Sequence, residues 1–380
     1  IFQKLLLNFT WWVNQEDVEG KNIFEGGFLG LDNIGAFDRS QAALNGAILE
    51  QRDGTGWMGM YCLKMVEMAL ELALQNSVYE EMAVKFFEHF VAIADAINAM
   101  THDQIKGLWD EKEGFYYSTL IAKDGTVTKI RENSLSGMIP LFAVALNDSK
   151  ELNQFSHFKK QFEWFIKNKN KSIHSIVDFK KRDGKECILL TFVNDSKLKL
   201  ILKLLLDEAQ LLSPYGIRSV SKKYANQPFS IQIQGEKYQL DYEPAESTTA
   251  LFGGNSNWRG PIWFPLNYLL MESLNTFYRY YGDDFLVEFP TGSNHFITLQ
   301  QLSDQLSQRL LSIFLKDSQG RRPLYGQIEK FQQDPHWKEY LLFHEYFHGD
   351  NGAGLGASNQ TGWTALIANL IHQQSKKPNN

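Results

Sequence analysis

Two carboxylates stand apart from the other acidic residues by their surroundings. Asp32 lies in GFLGLDNIGAFDR, residues 27–39, and Glu345 lies in FHEYFHGDNGAGLG, residues 343–356. Each sits among aromatic residues and glycines, at opposite ends of the chain. Hydrolysis of a glycosidic bond needs two carboxyl groups flanking the scissile bond. One protonates the leaving oxygen, and the other attacks the sugar or activates a water. The pair therefore raises glycoside hydrolysis as the first chemistry to weigh.

The letters around Glu345 also spell His344-Glu345-x-x-His348, a zinc-hydrolase signature. That motif requires a helix, so that two imidazoles one turn apart face one metal, and it requires a third ligand. Gly349, Gly352, Gly354 and Gly356 follow at once and oppose a helix. The extended motif wants Gly and then His downstream, but Asn351 and Gly354 occupy those places. No Glu follows Glu345, so a zinc hydrolase is a distant third reading and no metal is expected. The loop is also a poor phosphate cradle: it reads Gly352-x-Gly354-x-Gly356, and no strand precedes it. Its glycines imply positive φ or close backbone approach.

Other residues fit a sugar pocket. Trp258-Arg259-Gly260 and Trp263 fall at a loop-to-helix junction, where rings can lie on sugar faces and a guanidinium can meet hydroxyls; helix-end packing is the plainer role. Asp53, opening RDGTGWM, is either an N-cap or a hydroxyl contact. Glu25 in FEGG is a further pocket candidate. Asp241, Glu243 and Glu246, and likewise Asp110, Glu111 and Glu113, read as solvated loop faces. Trp363 is expected to pack beneath Glu345.

These groups must be positioned by helices. Apolar residues recur at spacings of three and four through Ile1–Val13, Asp53–Gln75, Ser77–Met100, Ser134–Leu146, Gln154–Asn168, Lys197–Gln210, Gly260–Tyr281, Leu299–Leu315 and Gly362–Gln373, about nine helices in all. A hairpin is expected around Asp124-Gly125, a turn at Gly107–Tyr117 and strand-like chain at Ser172–Asn194. With no βαβ alternation, the pattern predicts an all-α fold: a single domain, 1–380, of paired helices forming a toroid with its site at one mouth.

Composition narrows the partners. The net charge of −6 comes with no basic run, which excludes nucleic acid as the main ligand. No apolar run reaches the ~18 residues of a membrane span. Two cysteines are too few for a disulfide framework.

In four segments taken in order the chain resembles glycoside hydrolase family 63, the family of the processing α-glucosidase I and its bacterial relatives. GLDN at Gly30–Asn33 is similar to the segment carrying the general acid. SPYGIRS at Ser213–Ser219 resembles a turn of the family, and NWRGPIWFPLNYL at Asn257–Leu269 its sugar-lining aromatic segment. HEYFHGDNGAGLGASNQTGW at His344–Trp363 is similar to the segment holding the base. The resemblance implies an (α/α)6 toroid and an inverting, exo-acting enzyme without a cofactor, working on an α-glucoside or α-mannoside. It implies Asp32 as acid, kept protonated, and Glu345 as base. Glu25, Asn33, Asp53, Trp258, Arg259, Gly260 and Trp263 are then the expected substrate-binding residues. The family's earlier motifs would lie upstream of Ile1, so the toroid is expected to lack its first helices. Ser172–Leu200 departs from the family. A catalytically silent carbohydrate-binding toroid is the alternative, and similarity to bacterial relatives favours the cytoplasm.

Overall fold

A computed structural model of the chain describes residues 1–14, 22–24, 30–31, 33–39, 46–98, 107–168, 175–182, 184–249 and 256–376. Asp32 and Glu25 lie outside the described residues. Ten α-helices appear among the described residues, in the order α1 (Phe2–Val13), α2 (Arg52–Ala73), α3 (Val78–Ile97), the short α4 (Ser149–Leu152), α5 (Ser156–Asn168), α6 (Asp195–Leu205), α7 (Phe264–Tyr281), α8 (Leu299–Ser312), the short α9 (Glu329–Gln333) and α10 (Ile367–Ser375). Neighbours pack in pairs: α2 along α3, α7 along α8, and α10 against α8.

The periodic apolar stripe explains the packing. Met58, Cys62, Met65 and Ala69 of α2 are buried. Phe87 of α3 meets Phe158, Phe162 and Phe165 of α5, with ring centroids 5.9, 5.3 and 5.7 Å apart. Phe90 stacks on Phe192 at 5.0 Å. A Cβ at Gly59 would fall 2.1 Å from the Phe192 ring, so this helical glycine is dictated by packing. Pro265 opens α7 where its missing N–H costs nothing, and Thr298 with Gln301 forms a capping box on α8.

The fold is helical but holds more sheet than the periodicity implied. Ser134–Leu146 is not an α-helix. Leu135–Phe142 is a fully buried 3-10 helix containing Pro140, and Val144–Asp148 is a strand. Proline removes a helical N–H and clashes with the preceding turn, and with all eight residues buried there is no polar face to orient an α-helix. That strand pairs with Lys185–Thr191, which pairs with Val177–Arg182, in a three-stranded antiparallel sheet. A second joins Ile48–Glu50, Ser118–Ile121 and Val127–Ile130; its last turn is the expected hairpin, with Gly125 at φ +82°. Helix α7 begins at Phe264 rather than Gly260, because Ile262 is used in β-bridges to Arg218 and Phe347. One continuous hydrophobic core runs from α1 to α10. Among the described residues no helix is long and apolar enough to cross a membrane.

Candidate active site

Glu345 lies at the foot of a small hairpin in which Tyr346–Phe347 pairs with Gly354–Leu355. Its amide donates to the Ala357 carbonyl at 2.8 Å, and its Oε2 accepts from the Ala357 amide at 3.2 Å. The Trp363 indole donates to the Glu345 main-chain carbonyl at 2.9 Å, and the Thr364 hydroxyl donates to the His344 carbonyl at 2.6 Å. The carboxylate is half-buried, held by one oxygen.

The glycines of this loop are contact glycines. A Cβ at Gly356, which has φ +65°, would come 2.8 Å from Glu345 Oε2 and 2.7 Å from the Tyr346 ring. At Gly349 it would meet the Gly260 carbonyl oxygen at 2.5 Å.

His344 and His348 are in extended and hairpin backbone, not on a helix. His348 Nδ1 accepts the Asp350 amide at 3.1 Å. Burial lowers the pKa of both imidazoles, opposed at His348 by the Asp350 charge. No cluster of His, Cys, Asp or Glu among the described residues could hold a metal ion.

The turn Ser213–Ser219 clamps this loop. Ser213 donates to the Gly349 carbonyl at 2.6 Å. Asp350 receives Arg218 at 2.9 Å, Lys222 at 3.1 Å and the Tyr242 hydroxyl at 3.1 Å. Burial would raise the Asp350 carboxyl, but these two cations outweigh it and hold it below its usual range.

Residues 257–263 tie the two candidate catalytic segments together. The buried Asn33, next in sequence to Asp32, donates to the Asn257 side chain at 3.1 Å and to the Ser247 hydroxyl at 3.2 Å; it accepts the Trp258 amide at 2.7 Å. Arg259 donates to the carbonyls of Asn33 at 2.9 Å and Gly35 at 3.0 Å and faces Glu243 at 3.5 Å. At the other end, Ile262 exchanges both backbone hydrogen bonds with Phe347, two residues past Glu345, at 2.8 and 3.0 Å. Trp258 stacks on Trp263 at 3.7 Å, and Trp263 on Tyr346 at 4.8 Å, forming a buried column. Gly260 has φ +147° and donates its amide to the Ser219 hydroxyl at 2.8 Å.

The sequence-derived candidates are therefore distributed unevenly. Asn33, Trp258, Arg259, Gly260 and Trp263 converge, but as buried supports whose polar groups are bonded within the protein. The exception is the Trp258 indole N–H, which is buried and has no hydrogen-bond partner among the described residues. Asp53 is not an N-cap. Gln51 occupies that position without a side-chain capping bond, and Asp53 is fully buried against Arg39 at 2.6 Å, with Oδ1 lacking a hydrogen-bond partner among the described residues. Neither acidic run is a solvated face throughout. Glu243 is buried against Arg259 and accepts the Thr248 amide at 2.8 Å, and Asp110 is buried, accepts two turn amides and pairs with Arg131 at 2.9 Å.

Sequence reasoning missed a buried ion pair beside Asp53. Arg52 meets Glu132 at 2.6 Å and also donates to Ser134, Ser136 and the Tyr116 carbonyl. Burial raises the Glu132 pKa against the pull of Arg52, and Glu132 Oε2 has no hydrogen-bond partner among the described residues. The available signal was a charged pair, Arg52-Asp53, at the head of a helix whose other charges, Lys64, Glu67 and Glu71, come only in its second half.

The chain is similar in sequence to known proteins. Residues 182–364 match the mannosylglycerate hydrolase MGH1-like glycoside hydrolase domain. The uncharacterized protein YMR196W of Saccharomyces cerevisiae is 47% identical over 98% of this chain, which spans 35% of that protein. The mannosyl-oligosaccharide glucosidase of S. cerevisiae is 27% identical over 47% of this chain and 15% of its own length; a probable mannosyl-oligosaccharide glucosidase of Schizosaccharomyces pombe is also 27% identical, over 47% of this chain and 16% of its own length. The chain thus spans about a third of the first of these relatives and matches a smaller part of the other two. Its clamped carboxylate hairpin, and the turn and aromatic segment that brace it, fall within the region similar to that glycoside hydrolase domain.

Proposed function

We propose that this chain belongs to an inverting, exo-acting α-glycosidase built on an (α/α)6 toroid, with Asp32 as general acid and Glu345 as general base. Glu345 Oε2 is held by the Ala357 amide, while Oε1 has no hydrogen-bond partner among the described residues. Oε1 is the oxygen that would take a proton from the attacking water. As that water adds to the anomeric carbon from one face, Asp32 gives its proton to the leaving oxygen on the other. An α-bond then yields a β-sugar, and the two carboxyl groups would stand roughly 6.5–9.5 Å apart to admit the water.

The observation that carries this reading is the single short segment 257–263, which grips Asn33 at one end and Phe347 at the other. Two catalytic groups drawn from opposite ends of a chain need such a brace, since small errors in their spacing cost rate. The relatives' names point to glucose or mannose as the sugar. Asp53 Oδ1 and the Trp258 indole N–H, both buried and without a hydrogen-bond partner among the described residues, are the polar atoms proposed to meet its hydroxyls, and Glu25 is proposed as a further sugar-binding residue.

The test is hydrolysis of α-glucosides and α-mannosides with the anomer of the released sugar followed by NMR. The β-anomer should appear first, and Asp32→Asn and Glu345→Gln should each abolish turnover. Sugar binding without turnover would instead make the domain a carbohydrate-binding one. Activity surviving Glu345→Gln would overturn the assignment of the base.

A further inference from the structure

The chain entering the Glu345 strand carries a cluster of exposed rings that the catalytic reading does not use. Phe331 lies 5.8 Å from Trp337, His336 lies 5.7 Å from Trp337 and 5.6 Å from Tyr340, and Trp337 lies 6.4 Å from Tyr340, centroid to centroid. Trp337 is 39% and Tyr340 59% exposed. Large rings left this open have no packing reason to be held still, yet these are held. The hydroxyl of the buried Tyr325 donates to the carbonyls of Lys338 at 3.2 Å and Tyr340 at 3.1 Å. Between the rings, Glu339 is tied to Lys316 at 2.8 Å and to Arg322 at 3.1 Å. Asp334 fixes the turn by accepting the His336 amide at 2.8 Å.

The segment that anchors the cluster adjoins the hairpin that carries Glu345. Its root touches the glycine-rich loop: a Cβ at Gly326 would lie 3.0 Å from the Ala353 side chain. Tyr340 precedes Glu345 by five residues, at most about 17 Å of chain. The rings alternate in sequence with Gln333, Asp334 and Lys338, so flat apolar faces stand beside hydrogen-bonding groups. A sugar offers that same combination, whereas a protein-docking face is more evenly apolar at its centre.

We propose that Trp337 and Tyr340 form a stacking platform for sugar units on the leaving-group side of an α-linked oligosaccharide. The proposal rests on the glycosidase reading above and adds a specificity determinant to it. The rings would act on substrate length and not on the chemical step.

The test compares wild type with Trp337→Ala and Tyr340→Ala on a methyl α-glycoside and on α-linked tri- to pentasaccharides of the same sugar. Losing one stacked ring should lower kcat/KM for the longer substrates by about tenfold, through KM, with the methyl glycoside unchanged. Calorimetric titration with the pentasaccharide, on wild type and on Trp337→Ala and Trp337→Phe, gives a readout that does not need turnover. Binding weakened by Ala and partly kept by Phe supports the platform even if no glycoside is hydrolysed, which would sink only the glycosidase reading. Equal losses on short and long substrates, or pentasaccharide binding absent from wild type or indifferent to both rings, would overturn it. So would sedimentation showing that Trp337→Ala abolishes a dimer while sugar binding is unchanged, which would assign the rings to a contact between copies.

Discussion

Arg259 donates through Nε to the carbonyl of Asn33 across 226 residues of sequence. A second nitrogen of the same guanidinium reaches the Gly35 carbonyl, so one planar group spans two points of the loop that contains Asp32. Lysine cannot reproduce that, because its ammonium is a single point on a flexible stem. Arg259→Lys is expected to keep the fold and the charge opposite Glu243 while losing the two-point hold. The predicted result is a fall in kcat of roughly tenfold to a hundredfold with KM little changed, since misplacement by about an ångström is enough for that. A change confined to KM would return Arg259 to direct sugar contact.

The buried pair Arg52–Glu132 makes a different prediction, about stability. Both side chains are almost wholly removed from water. Removing one partner strands a charge, which costs about 3–5 kcal/mol, whereas replacing both by apolar groups of similar size is often neutral. Arg52→Met should therefore lower the stability measured by urea denaturation by that amount, and Arg52→Met with Glu132→Leu should recover most of it. If the double substitution also lowers sugar affinity, the free Glu132 oxygen belongs to the pocket.

How much of this was legible beforehand follows from what sequence patterns record. The stripe of α2 and the capping residues of α8 are local, so helices there could be read off directly. The hairpin at Asp124-Gly125 was readable for the same reason. Leu135–Phe142 was not, because its uniform burial removes the polar face that gives a period its meaning, and Pro140 was the neglected clue. At the candidate site, the glycines and rings around Glu345 were visible in the sequence as an irregular loop. The roles of Asn33 and Arg259 were not, because their partners lie hundreds of residues away and residue type alone cannot tell a guanidinium that holds carbonyls from one that holds a sugar. The same limit hid the burial of Glu243 and Asp110, which a run of acidic letters presents as a solvated face.

The histidines flanking Glu345 predict a pH dependence with a definite sign. Burial holds both folded-state pKa values below the ordinary value of about 6.5. The unfolded chain therefore takes up protons first as pH falls, and it is favoured between that value and the lower folded values. The stability these residues contribute is complete above about pH 6.5 and declines below it. Thermal melting from pH 8 to pH 5 should show the midpoint falling on the acid side, and His344→Gln with His348→Gln should flatten that slope. A melting curve whose acid slope is unchanged in the double variant would show that other groups govern it.

Gly356 offers the sharpest separation of positioning from folding. Its φ of +65° costs any L side chain about 1 kcal/mol or somewhat more. A methyl group there would also press on Glu345 Oε2 at 2.8 Å and on the Tyr346 ring at 2.7 Å. The ring is locked in the column with Trp263, so the carboxylate is the group free to move, and moving it breaks the hydrogen bond from the Ala357 amide. Gly356→Ala should thus cost only a modest part of the stability while reducing kcat by about tenfold or more, the usual consequence of misplacing a catalytic base. Gly125→Ala supplies the control, because its φ of +82° carries similar strain and a Cβ there meets nothing within 4 Å. Comparable destabilisation of the two variants, with activity lost only at position 356, would attribute the loss to displacement of Glu345. Equal retention of activity in both would show that the Ala357 amide does not set the position of the base.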